Sequence, residues 1–296
     1  MISVLICSAD NSLLSQVKAN IGQTIGVEHE ILFFDNLEKK GICEVYNALA
    51  SRAKFSYLCF VHEDILFQTL NWGHVLEDIF SKNPAIGVVG VAGSKYKSKC
   101  FSGWYSGNKD FDCANILHRY IDREESIYLQ PNKENNLEEV VCLDGVFICS
   151  RKEVWQQSKF NEGHLKGFHF YDIDFSLRAS RICRIAVSYS VNMIHITTGG
   201  DFGDNWVKTA IDYHIGMGKM LPATKLADYS DSIEEKISKT WLDFLKKYRI
   251  SWKNKWRWIG TQKLYYKPAL YYAIARFLLY EPAGIENFHK LFKRAK

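Results

Sequence analysis

Paired cysteines are missing from this sequence. Its eight cysteines, at 7, 43, 59, 100, 113, 142, 149 and 183, include no Cys-x-x-Cys and follow no framework spacing. That excludes a disulfide scaffold or a zinc site built on them. Several sit inside apolar runs, as in Leu5-Ile6-Cys7 and Phe147-Ile148-Cys149, where a thiol acts as a small hydrophobe in a reducing compartment. Long apolar runs are missing too, and no window approaches the roughly 20 residues of a spanning helix. The opening Met1-Ile2-Ser3-Val4-Leu5-Ile6-Cys7 lacks a basic n-region and reads as a β-strand, not a signal peptide. A cytoplasmic protein, or one peripheral to the inner face of a membrane, is the expectation. No internal repeat or low-complexity tract is found. The segment after the first strand, Ser8-Ala9-Asp10-Asn11-Ser12, holds neither glycine nor lysine, which counts against a basic, Gly-rich phosphate loop.

What is present is an ordinary globular composition, 47% hydrophobic and 24% charged over 296 residues. Such a chain has material for a substantial core in one large or two modest domains. The net charge of +5 is unevenly spread. From Thr240 to Lys296, 13 Lys and Arg oppose 3 Asp and Glu, a local net of +10 that leaves −5 for the rest. The same stretch holds four of the eight tryptophans. A basic, aromatic segment beside a slightly acidic body fits an anionic surface, membrane or nucleic acid. It equally fits a helical subdomain that packs its aromatics on the body or on a second copy, as a homodimer would.

Strand and helix signals alternate through the first hundred residues. Ile2–Cys7, Glu30–Phe34, Tyr57–Val61 and Ile86–Ala92 read as strands, and Ser12–Ile21, Glu44–Ala53 and Trp72–Phe80 as helices. That order predicts βαβ units and an α/β fold on a mainly parallel sheet. From Gly93 to Leu137 the pattern weakens into a loop-rich insertion. Val140–Ser150 then reads as one strand around Asp144-Gly145, Phe168–Arg181 as an acidic start running into a helix, and Ile185–His195 as a strand. Asp201–Gly216 and Ser232–Tyr248 follow as helices. Tyr265–Tyr280, with Leu270, Ile274, Phe277 and Leu278, has the make-up of an interfacial helix. The expected division is a body over 1–225, its halves meeting near residue 100, and a helical extension over 226–296.

Chemistry concentrates in four places. His62-Glu63-Asp64 ends the apolar strand Tyr57–Val61, at the strand end where open α/β sheets bind ligands. Oxygen ligands with an imidazole suit Mg²⁺ or Mn²⁺, although capping a strand toward water explains the triplet about as well. Asp172 and Asp174 open a helix, where negative charge is favoured by its dipole. Arg178 stands four residues past Asp174 for an ion pair, which leaves Asp172 as a candidate general base. Asp144-Gly145 interrupts an apolar strand, as a kink or a close ligand approach would. His195 leaves a strand into Thr197-Thr198-Gly199-Gly200 and is either a structural histidine or a metal ligand.

Taken in order, these motifs resemble the GT-A fold glycosyltransferases that use nucleotide sugars, closest to the family-2-like bacterial enzymes, over residues 1 to 220. The resemblance implies a nucleotide-sugar donor and a divalent ion, Mn²⁺ or Mg²⁺, on its diphosphate. Asp64 matches the last acid of the family's Asp-x-Asp metal motif, with His62 in place of the first and Glu63 as its candidate substitute; Glu63 and Asp64 are both expected to bind the nucleotide sugar. Ser8, Ala9, Asp10 and Asp35 match nucleotide-contacting positions. Asp144 and Gly145 match the segment below the acceptor sugar, and Asp174 is counted with them as acceptor-binding. Asp172 matches the second position of the family's acidic pair, the catalytic base, and Tyr171 replaces the first. His195 resembles a downstream histidine that reaches the metal or diphosphate. The implied reaction is inverting transfer to a glycan or lipid-linked acceptor, with no nucleic-acid partner. A nucleotidyltransferase and a non-catalytic glycan- or nucleic-acid-binding protein are the alternatives.

Overall fold

A computed structural model describes residues 1–121, 126–129, 136–217, 220–225 and 230–280. The apolar run Ile2–Ser8 is strand β1. Asp10 then turns the chain into helix α1, Asn11–Thr24, because its carboxylate accepts from the amides of Ser12 (2.8 Å) and Leu13 (3.0 Å). This satisfies two of the donors that a helix start leaves unpaired. Leu14, Val17 and Ile21 share the buried face of α1 and cluster with Ile2, Val4 and Ile6. The alternation continues through β2 (His29–Asp35), α2 (Ile42–Arg52), β3 (Tyr57–Val61), β4 (Ile65–Phe67), α3 (Trp72–Lys82) and β5 (Ile86–Gly90).

The segment from 93 to 137 is less irregular than its sequence suggests. It contains β6 (Ala92–Ser94), β7 (Tyr96–Lys97), β8 (Asp112–Ala114), β9 (Ile116–Tyr120) and β10 (Ser126–Leu129). β6, β7 and β8 carry too few residues to display a period of two, and β9 and β10 are revealed by pairing, with each other and of β9 with β15. The predicted strand over Val140–Ser150 is also divided, into the end of β11 (Leu137–Val140), β12 (Cys142–Leu143) and β13 (Phe147–Arg151). The reason lies at Asp144, whose Oδ1 accepts from the Val146 amide at 2.8 Å and bends the chain locally instead of extending it. Helices α4 (Lys152–Ser158) and α5 (Tyr171–Ala179) and strands β14 (Arg184–Ser188), β15 (Met193–Thr197) and β16 (Ala223–Thr224) follow.

Among the described residues, seven strands form the central sheet in the order β11-β14-β5-β13-β3-β1-β2. β2, β1 and β3 are mutually parallel, β14 is parallel to β5, and β13 and β11 run against their neighbours. The expected α/β fold with a mixed, mainly parallel sheet is therefore found. A second sheet, β10-β9-β15-β4, decides where His195 goes.

The described residues fall into two compact units, one drawn from 1–97, 103–200 and 219–227, the other from 98–102, 201–218 and 228–296. The second is helical, with α6 (Asp204–Met217), α7 (Asp231–Leu245), α8 (Trp252–Thr261) and α9 (Tyr271–Leu279). Its core stacks Trp206 on Trp241 at 5.3 Å between centroids and buries Trp258 and Phe277 completely. The single helix expected over Tyr265–Tyr280 is broken into turns at Leu264–Tyr266 and Pro268–Leu270 before α9 begins. Pro268 supplies no N–H and excludes the preceding residue from helical geometry. Among the described residues no helix is long and apolar enough to cross a membrane.

Candidate active site

Strand register brings the predicted residues to one edge of the sheet. Ser8 is level with Asp35, and Ile6 with Val61, so the carboxyl ends of β1, β2 and β3 arrive together with Ser8, Asp35 and His62-Glu63-Asp64. β13 runs the other way, with Phe147 opposite Val61. The Asp144-Gly145 turn that precedes it therefore reaches the same edge. The His62 amide donates to the Val146 carbonyl at 3.1 Å, fastening triplet to turn.

His195 comes from 131 residues away through the second sheet. β15 pairs antiparallel with β4, setting His195 opposite Ile65, one residue past Asp64. Its Nε2 lies 3.1 Å from Asp64 Oδ2, and His62 Nδ1 lies 3.9 Å from Asp64 Oδ1. His62, Asp64 and His195 each offer a ligand atom within 4.8 Å of the others. Asp64 Oδ1 is buried without a hydrogen-bond partner, which is costly for a carboxylate oxygen unless a cation sits there. These residues fit a divalent metal ion.

The charges agree with that geometry. Burial works against the Asp64 anion, yet the neighbouring His195 and His62 outweigh it and hold its carboxyl below the usual value. Burial likewise opposes the His195 cation, and the hydrogen bond and charge of Asp64 reverse the balance and raise it. His62 is pushed down by burial despite Asp64.

The other half of the site is assembled on the turn at Gly145. The Gly145 amide donates to Asp172 Oδ2 at 2.9 Å, and its carbonyl accepts from the Tyr171 hydroxyl at 3.0 Å. A Cβ on Gly145 would stand 2.1 Å from that hydroxyl oxygen and 3.1 Å from Asp172 Cβ, so only glycine leaves room for both. Burial, reinforced by the Asp144 carboxylate, pushes the Asp172 carboxyl up to about 7. Asp144 is held in place by the indole N–H of Trp104 and the Val146 amide. A carboxyl that titrates near neutrality can accept a proton from an alcohol and later release it.

The remaining candidates have other partners. Glu63 Oε2 accepts from the Ser8 hydroxyl and from the amides of Ala9 (3.0 Å) and Asp10 (3.1 Å), and so shapes the loop after β1. Asp10 caps α1, and Asp35 is exposed at the end of β2. Asp174 is 2% exposed and closed off by Arg178, whose Nη2 lies at 2.7 Å. Of the catalytic and metal candidates, then, His62, Asp64 and His195 converge, and Asp144, Gly145 and Asp172 form a second cluster, while Asp174 belongs to an ion pair. Sequence reasoning missed His118, whose Nδ1 lies 3.2 Å from His195 Nδ1, and the anchoring role of Trp104. Nothing local marks them: His118 sits in β9, inside the stretch that reads as loop.

The model of the Glycosyltransferase like family matches residues 3–207. No curated protein matches the chain in sequence. Among solved structures, S. aureus TarS 1-349 in complex with UDP-GlcNAc is similar with a TM-score of 0.53 at 11% identity, covering 98% of this chain and 91% of that one. A second S. aureus TarS structure gives 0.52 at 11% identity, covering 100% of this chain and 55% of that one. GalNAc-T7 with UDP, GalNAc and Mn2+ gives 0.47 at 11% identity over 67% of this chain. The match spans 44% of the GalNAc-T7 chain.

Proposed function

The chain belongs to the glycosyltransferase-like family, and on that premise we propose that it moves a sugar from a nucleoside-diphosphate sugar to a hydroxyl of a glycan or lipid-linked acceptor, with inversion. The observation that carries this reading is the Gly145 turn, which holds the titratable Asp172 on its amide and is joined through Tyr171 to His62 on its carbonyl. Base and cation site are thereby tied to one point.

Each residue then has a task. Glu63 holds the loop Ser8-Ala9-Asp10 at the mouth of β1, where the nucleotide would lie, with Asp35 beside it. Asp64, His62 and His195 would hold Mn²⁺ or Mg²⁺, an ion that as a Lewis acid neutralises the departing diphosphate. Asp172 takes the proton of the attacking hydroxyl. Asp144 is already engaged by Trp104 and Val146 and raises the basicity of its neighbour. A single base, with Asp144 engaged by Trp104 and Val146 and Asp174 by Arg178, favours single displacement, hence inversion.

A thermal-shift series with nucleoside diphosphates and their sugars, with and without Mn²⁺, tests the donor site. A cognate ligand at 100 times its Kd adds about 2.7 kcal/mol of stability, a rise of several degrees. If no diphosphate raises the melting temperature under either condition, the donor reading is wrong.

We further propose that the second unit meets an anionic membrane surface. Trp252, Trp256, Tyr266 and Tyr272 are each about half exposed or more, and Lys253 and Lys263 are exposed among them, the make-up of an interfacial surface. Co-sedimentation with vesicles containing about 30% anionic lipid should retain the protein and release it at high salt. Equal retention on neutral vesicles, or none on either, would remove this assignment.

A further inference from the structure

The two departures from the family pattern, His62 for an acid and Tyr171 for an acid, lie 109 residues apart in sequence yet touch: His62 Nε2 is 2.7 Å from the Tyr171 hydroxyl. That hydroxyl has one proton, and it is given to the Gly145 carbonyl at 3.0 Å. Toward His62 the oxygen is therefore an acceptor. His62 must donate from Nε2, which leaves its lone pair on Nδ1, the nitrogen that faces Asp64 Oδ1. A carboxylate at position 171 could not do this beside a carbonyl oxygen, because it has no proton to give Gly145. Phenylalanine could do neither half.

His195 is arranged in parallel. Its Nδ1 lies 3.2 Å from His118 Nδ1, and its Nε2 points at Asp64 Oδ2. A proton on His195 Nδ1 directed to His118 leaves Nε2 for the same site. Both imidazoles thus have a partner on the ring nitrogen remote from Asp64, the arrangement by which outer groups orient metal-holding histidines.

We infer that Tyr171 and His118 are positioning residues that fix the tautomers of His62 and His195, so that both imidazoles present lone pairs to a divalent cation beside Asp64. Tyr171 is thereby the counterpart of His62: the tyrosine makes an imidazole serviceable where relatives of this pattern carry a carboxylate. Gly145 is the third member, since any side chain there would collide with the Tyr171 hydroxyl.

The inference rests on the metal reading proposed above, and the test separates the two. Mn²⁺ affinity is measured by the EPR signal of the free ion on wild type, Tyr171→Phe, His62→Asp and the double variant. Imidazole ¹⁵N spectra of the metal-free wild type report the tautomer. Expected are an Nε2–H tautomer at His62 and binding weakened about 10–100-fold by Tyr171→Phe. In the His62→Asp background, where no tautomer needs fixing, the same change should weaken binding less than threefold. An equal loss in both backgrounds would make Tyr171 merely structural and overturn the inference, as would unchanged binding in Tyr171→Phe. Should the tyrosine variants fail to fold, an Nδ1–H tautomer at His62 in the wild type overturns it alone. A wild type that binds no Mn²⁺ sinks the metal reading first, and this inference with it.

Discussion

Replacing Asp172 with asparagine is expected to slow sugar transfer roughly 10²–10⁴-fold while leaving donor affinity within about twofold. The amide keeps the size of the side chain but cannot take a proton from the acceptor hydroxyl, and Asp172 makes its hydrogen bonds to the Gly145 and Ile173 amides, not to the metal trio. The pH profile should identify the same group. Burial and then Asp144 raise its carboxyl to about 7, and only the ionised form is a base. The rate should therefore climb with pH and reach half its plateau near 7. Stability runs the opposite way. A carboxyl whose folded value exceeds its unfolded value binds more protons in the native state, so its contribution falls as pH rises from about 4 to 7. Asparagine has no such slope, and the melting temperature of the variant should gain on the wild type between pH 5 and pH 8. Steady-state kinetics and melting curves over that range check both. Full transfer by Asp172→Asn would move the base elsewhere.

The part of this molecule that could be read from sequence is the part whose signals are local. β1 and β3 declare themselves as short apolar runs and α1 and α2 by a period of 3.6, and strands alternating with helices favour a parallel arrangement. Their order put His62-Glu63-Asp64 at a strand end, and with the later motifs it supported the family that the sequence match bears out. What stayed hidden depends on pairing across the chain. β6, β7, β8 and β12 have two or three residues each, fewer than a pattern needs. The bend at Asp144 is made by one side chain bonding two residues ahead, which hydrophobicity does not record. His118 reaches His195 only because β9 and β15 lie parallel and in register. The break at Pro268 was visible in principle, and the apolar spacing of the flanking residues concealed it.

The partnership of Tyr171 with His62 makes one structural unit of two separate departures from the family pattern. Read position by position, a histidine for an acid and a tyrosine for an acid both weaken a family assignment. Joined through a hydrogen bond and anchored on Gly145, they keep a donor atom aimed at Asp64. Consistency between residues far apart in sequence is what a specific structure requires, and a linear pattern does not display it.

Asp64→Asn is expected to abolish the stabilisation that Mn²⁺ confers, with affinity falling more than about 100-fold, beyond the 10–100-fold typical of lost orienting groups. Asp64 is the one anion of the trio and owns the buried oxygen without a partner. Its loss leaves two imidazoles that must be neutral to bind and so repel nothing and attract little. The metal-free protein should show the change as well. The Asp64 carboxyl is held below its usual value, so its share of stability is present above about pH 4 and lost on acidification. His195 is raised by Asp64, so its share is present below about 6.5, its ordinary value, and fades as pH rises through the raised one. Their pairing therefore helps most near pH 5 to 6, where the variant should melt furthest below the wild type, and the gap should narrow by pH 8.5. With Mn²⁺ the trend inverts, because an imidazole must lose its proton to bind a metal: the wild-type shift should grow with pH while that of the variant stays near zero. A variant that kept the Mn²⁺-dependent rise would place the ion away from Asp64.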